Sequence, residues 1–131
     1  MLGHYHAVVW IDHSEARVFH FNASDVEKTV VHAGHSSGRR HHVAGFDGTG
    51  HAPEDQKYLE EVAKAVLDAG AILIVGPANE KNELVKHIGR AHPAAMAKVE
   101  GVETLDHPSD GEIVAHARKA LKSADRMRPQ L

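Results

Sequence analysis

Histidine and arginine are concentrated in one stretch, His32 to Ala52, which reads HAGHSSGRRHHVAGFDGTGHA. It holds five histidines, five glycines and two arginines, and its only substantial apolar groups are Val43 and Phe46. Guanidinium forks at Arg39 and Arg40 can pair with phosphate oxygens, and glycine at Gly38 lets backbone amides approach the same anion. His35, His41 and His42 beside them gain charge as the pH falls. This chemistry fits contact with RNA better than it fits a metal site. Metal capture by His32, His35, His41, His42 and His51 is the other reading, although no zinc-finger spacing is present and the chain has no cysteine.

A second constellation pairs acid with imidazole twice, as Asp12-His13 and Asp106-His107. Each pair follows a predicted strand, and both fall at the sheet edge where crevices commonly hold ligands. Histidine with carboxylate suits zinc or a similar divalent ion. If one strand lies between them, the pairs start about 10 Å apart. Other chemistries find no support. Two-metal nuclease chemistry needs converging carboxylates, and Asp12 is the single acid in position to serve. Pro77-Ala78-Asn79-Glu80-Lys81 opens a helix where an anion could sit, but lacks the Gly-Lys-Ser/Thr run of a P-loop. No Gly-x-Ser-x-Gly elbow and no thiol nucleophile are present.

The elements that must position these groups follow from apolar patterning. Ala71 to Gly76 (AILIVG) is apolar without alternation, which predicts a strand covered on both faces at the middle of a sheet, with Leu73 and Ile74 facing opposite layers. Strands are expected at Ala7–Ile11, Glu15–Phe21, Val26–Val31 and Val99–Leu105, the first three as an antiparallel meander. On the second strand Arg17, Phe19 and Phe21 share one face, and Ala16, Val18 and His20 the other. Val26–Val31 is the expected edge, carrying Glu27, Lys28 and Thr29 against aggregation.

Helices are expected at Pro53–Ala69, Asn79–Arg90 and Asp110–Ser123, with a short helical turn from Pro93 through Lys98. The first has a stripe of Leu59, Val62, Ala63 and Val66. The second turns Leu84, Val85 and Ile88 inward and Lys81, Lys86 and Arg90 outward. The third opens on a Ser109–Glu112 capping box and buries Ile113, Ala117, Ala120 and Leu121, and residues 125–131 form a frayed tail. The fold class is therefore α/β: a single domain over 1–131 with a mixed five-stranded sheet, helices on both faces, and the ribonuclease-H-like order β-β-β-α-β-α-β-α.

Composition agrees with one ordinary domain. The chain has 131 residues, 42% apolar and 25% charged. No apolar run approaches the roughly 20 residues that cross a bilayer, so no membrane partner and a cytoplasmic location are expected. Formal net charge is −3, without a global nucleic-acid signature, but charging all 13 histidines would carry it to +10.

Taken together, VVWIDHSEARVFHF, the glycine-basic loop, KYLEEVAKAVLDAGAILIVGPANEKNELVKHI and VETLDHPSDGEIVAHARKAL resemble the middle domain of archaeal and eukaryotic peptide-chain release factors and their Pelota-like rescue relatives. They are more closely similar to the small bacterial translational machinery proteins related to that domain. The resemblance runs from about Ala7 to Leu121, and its most telling segment is Ile72 to Leu84, a strand followed by Gly-Pro-Ala-x-x-Lys-x-Glu-Leu. In release factors the loop matching residues 32–52 carries Gly-Gly-Gln and enters the peptidyl-transferase centre. This loop has no glutamine. The nearest, Gln56, lies beyond Pro53, and Gly48-Thr49-Gly50 keeps glycines without the amide.

The resemblance thus implies a translation-associated, ribosome- or tRNA-binding protein that is non-hydrolytic, with no catalytic residue and no cofactor. RNA contact falls to His35, Gly38, Arg39, Arg40, His41 and His42. Ribosomal RNA or tRNA is the expected partner, together with proteins that supply the absent codon-reading and partner-binding domains. The alternatives are a histidine-rich metal-binding protein, holding zinc or a similar ion through Asp12, His13, Asp106 and His107 or through the loop, and a protein-interaction module without ligand chemistry.

Overall fold

β1 (His6–Ile11) is apolar from Ala7 to Ile11, and each of these residues is buried, because strands pair with it on both edges and helices cover both faces. A computed structural model of the protein describes residues 5–33 and 53–127, with side chains over 5–33 and 56–122. β2 (Glu15–Phe21) and β3 (Val26–His32) return antiparallel, joined by two turns of one kind. The Asp12 carboxylate accepts hydrogen bonds from the amides of Ser14 (2.8 Å) and Glu15 (2.9 Å), and the Asn22 side-chain Oδ1 accepts from the amides of Ser24 (3.0 Å) and Asp25 (2.8 Å). Each side chain imitates a backbone turn, which is why Asp and Asn stand there.

α1 (Pro53–Val66) leads to β4 (Ala71–Gly76), then α2 (Glu80–Ala91), the short α3 (Pro93–Met96), β5 (Val99–Thr104) and α4 (Asp110–Met127). The sheet order is β3-β2-β1-β4-β5, with β1, β4 and β5 mutually parallel. β1 takes the middle place expected of β4. Both are interior strands with unalternated apolar runs, and that pattern does not rank two interior strands. The mixed five-stranded sheet with helices on both faces is as expected. One cluster packs Val9, Ile11, Val18, Ile72 and Ile74 under α1, α2 and α3, and the other packs Val8, Trp10, Phe19, Leu73 and Val75 under α4. Ile74 and Leu73 thus face opposite layers, each contributing roughly 1.5–3 kcal/mol by leaving water. β3 and β5 are the edges, and β3 is exposed along most of its length.

Local departures from expectation have local causes. α1 ends at Val66 instead of Ala69, and the Leu67 carbonyl freed there accepts from Lys98 Nζ at 2.7 Å. α4 continues past Ser123 to Met127, so the expected tail at 125–131 begins as helix, and residues 128–131 lie outside the described region. Lys81 is buried instead of outward-facing, because its ammonium folds back to donate to the Ala78 carbonyl while its stem covers apolar surface. The capping box of α4 forms reciprocally: the Ser109 amide donates to Glu112 Oε1 at 2.8 Å and the Glu112 amide to Ser109 Oγ at 3.2 Å.

Candidate functional site

Parallel pairing of β1, β4 and β5 brings their carboxyl ends to one edge of the sheet. Asp12, Gly76 and Leu105-Asp106 follow one another along it. Gly76 has to be glycine, since a Cβ there would stand 2.3 Å from the Ile11 carbonyl oxygen. The Trp10 indole N–H donates to the carbonyls of Leu105 and Asp106, both at 3.2 Å, and ties the end of β5 to β1 across β4. Tyr58, on α1, donates its hydroxyl to the Asp12 carbonyl at 2.8 Å. Burial first, then the charges of Asp12, Glu80 and Glu15, raise the pKa of this phenol and keep it a donor.

The described residues on either side of 34–52 lie at this same edge. On the amino side the Ala33 amide donates to Ser14 O at 2.9 Å and His32 pairs with Glu15. On the carboxyl side α1 starts less than two turns before Tyr58. His35, Gly38, Arg39, Arg40, His41 and His42 themselves lie outside the described residues.

The two acid–imidazole pairs are at this edge, on either side of β4. The Asp12 carboxylate is taken up by its turn and His13 is exposed. Asp106 and His107 pair with each other at 2.9 Å in solvent, and the His107 ring lies 5.4 Å from that of Trp10. The structure does not gather these four into one ligand group. Among the described residues, the group whose carboxylate and imidazole ligand atoms all lie within 4.8 Å of one another is Glu60, His87 and His92.

That group is built by two helices and a proline. Glu60 follows Leu59 on α1, at the margin of the buried stripe. His87 lies between the inward-facing Leu84 and Ile88 on α2 and is itself buried. Pro93 disfavours helical backbone at the residue before it, so α2 stops and His92 adopts φ −138°, ψ 64°. Its amide closes α2 on Ile88 O at 2.8 Å and its carbonyl accepts from Ala95 at 2.9 Å, which fixes the residue on both sides. His87 Nε2 stands 2.7 Å from Glu60 Oε1, and His92 Nε2 stands 2.9 Å from Oε1 and 3.0 Å from Oε2. Hydrogen bonds from His87 and then His92 lower the Glu60 pKa, so it is a carboxylate at neutral pH.

Sequence reading missed this trio because its members lie 27 and 32 positions apart, on helices whose contact no spacing announces. The available sign was a histidine on the inner side of an amphipathic helix, followed by a His-Pro stop.

The opposite face carries a different cluster. Asp110, at the start of α4, accepts from Arg17 Nη1 at 2.7 Å and Lys28 Nζ at 2.6 Å. Lys28 first, then Arg17, lower its pKa. Arg17 also lies over the Trp10 ring at 4.5 Å, and Arg118 over Phe21 at 5.3 Å. These cations are committed to the protein's own acids, carbonyls and aromatic rings.

No protein-family model and no curated protein sequence matches the chain. Solved structures do. Thermoplasma acidophilum Pelota is 16% identical with a TM-score of 0.64, over 93% of this chain and 34% of that one. Archaeoglobus fulgidus Pelota is 12% identical with a TM-score of 0.61, over 88% and 31%. An archaeal translation termination factor, aRF1, is 11% identical with a TM-score of 0.56, over 90% and 34%. The chain therefore spans about a third of the length of these proteins, and at such identities what it shares with them is the fold of that third.

Proposed function

We propose that this domain is a translation-associated, non-hydrolytic binding protein that contacts ribosomal RNA or tRNA through the segment 32–52. One observation carries the reading: the fold is that of one third of Pelota and of aRF1, the latter a translation termination factor by name. In the release factors that the sequence resembles, the corresponding loop enters the peptidyl-transferase centre. Here the described residues on either side of 34–52 are fastened to the carboxyl edge of the sheet, a firm base from which Arg39 and Arg40 can meet phosphates. The segment offers glycines and cations but no glutamine to orient a hydrolytic water, so binding is the assigned role and hydrolysis is not. The reading places the protein in the cytoplasm.

Co-sedimentation with ribosomes across a salt series tests this. Arg39→Ala with Arg40→Ala should weaken binding and flatten the slope of log affinity against log salt by roughly 1.5, the effect of losing two phosphate contacts. A double variant that co-sediments like its parent would overturn the assignment. No co-sedimentation of the parent at low salt would leave a protein-interaction module as the better description.

A further inference from the structure

We infer that Glu60, His87 and His92 form a binding site for one divalent cation of the zinc class, set between α1 and α2 and using no residue of the segment 32–52. Two imidazole nitrogens and a carboxylate are a borderline ligand set. Zinc, cobalt and nickel accept it, whereas calcium and magnesium prefer oxygen throughout.

The three groups come from α1, α2 and the α2–α3 junction, and all present ligand atoms within 4.8 Å of one another. In a tetrahedral complex with metal–ligand distances near 2.0–2.1 Å, neighbouring ligand atoms stand about 3.3 Å apart. The observed nitrogen–oxygen separations of 2.7–3.0 Å are those of hydrogen bonds, so the carboxylate needs to withdraw by only a few tenths of an ångström when a cation replaces the two ring protons.

Proton bookkeeping permits the exchange. Each neutral ring must present a lone pair at Nε2 and keep its proton at Nδ1. Nδ1 of His87 is buried and has no hydrogen-bond partner among the described residues, so none of them is a donor that forces that nitrogen to remain an acceptor. His92 is held by backbone bonds on both sides and by the proline after it, which limits the ordering cost of binding. The side chains of Glu60 and His92 are 35% and 22% exposed, so the site is reached from solvent and a water can complete the coordination.

Calorimetry with Zn²⁺ and visible spectroscopy with Co²⁺, on the 131-residue chain without an affinity tag, provide the test. One equivalent of each ion should bind, Co²⁺ giving the visible bands of a low-coordinate nitrogen–oxygen site. His92→Ala and Glu60→Gln, both at partly exposed positions, should each weaken Zn²⁺ by at least about 10-fold, since even outer-sphere partners of a ligand are worth that much. A His35, His41, His42 triple alanine variant and His107→Ala should each keep the site. Circular dichroism of the variants reports whether the fold is retained. The inference is overturned if no stoichiometric binding occurs at micromolar metal, if folded His92→Ala binds as the parent does, or if binding disappears with the loop histidines or with His107. Ribosome binding does not enter any of these readouts.

Discussion

The two faces of the sheet carry the same polar device built from different partners. On the α4 face Asp110 bridges Arg17 and Lys28; on the α1/α2 face Glu60 bridges His87 and His92. Both carboxylates are held below their ordinary pKa by two nitrogen donors. Arginine and lysine have no lone pair to offer near neutral pH, so Asp110 can act only as a clamp joining β2, β3 and the start of α4. Imidazole can exchange its proton for a metal, so the Glu60 cluster has a second use available to it. What separates a clamp from a ligand site is the chemistry of the partners, because the distances are nearly equal.

The frame shared by both clusters is the place for the largest effect. Ile74→Asp puts an unpaired carboxylate in the layer under α1 and α2, and should cost more than about 4 kcal/mol, enough to unfold the domain. Urea titration followed by circular dichroism measures this. A cooperative native-like transition in that variant would mean that the two faces do not depend on one packed sheet.

The next effect separates the faces. Zinc at a hundredfold excess over its dissociation constant should raise stability by about 2.7 kcal/mol in the parent and in Asp110→Asn, but not in Glu60→Gln. Thermal melts with zinc and with chelator measure it, and equal stabilisation of all three proteins would erase the proposed distinction.

The smallest effect concerns the clamp. Asp110 is partly exposed and screened, so Asp110→Asn should cost only about 0.5–1 kcal/mol at neutral pH. Its pKa is lowered by folding, so its contribution is complete above the unfolded carboxylate value and fades as pH falls through the folded one. Parent and variant should therefore differ at pH 7, begin to approach each other near pH 4, and converge only below the lowered folded pKa. A gap that widened in acid would contradict the clamp.

Much of the scaffold is legible without coordinates, because core contact repeats at the period of the element that makes it. Leu59, Val62, Ala63 and Val66 declare a helix face, and the Ser109–Glu112 box declares a helix start. Asp12 and Asn22 mark turns because a short side chain satisfies amides two and three residues on, an interaction as local as the sequence itself. Polar groups on helices escape this reading. Lys81 has the spacing of an outward residue and yet lies along its own helix entrance.

By itself the sequence determined a mixed sheet between two helical layers, and a glycine- and arginine-bearing segment interrupting it after the third strand. Only the tertiary structure decided that β1 takes the middle of that sheet, and that Glu60, His87 and His92 meet. The reason is physical. Apolar burial is written into the local period of a chain, whereas a polar contact between two helices depends on how they pack, and the spacing of their residues carries no record of it.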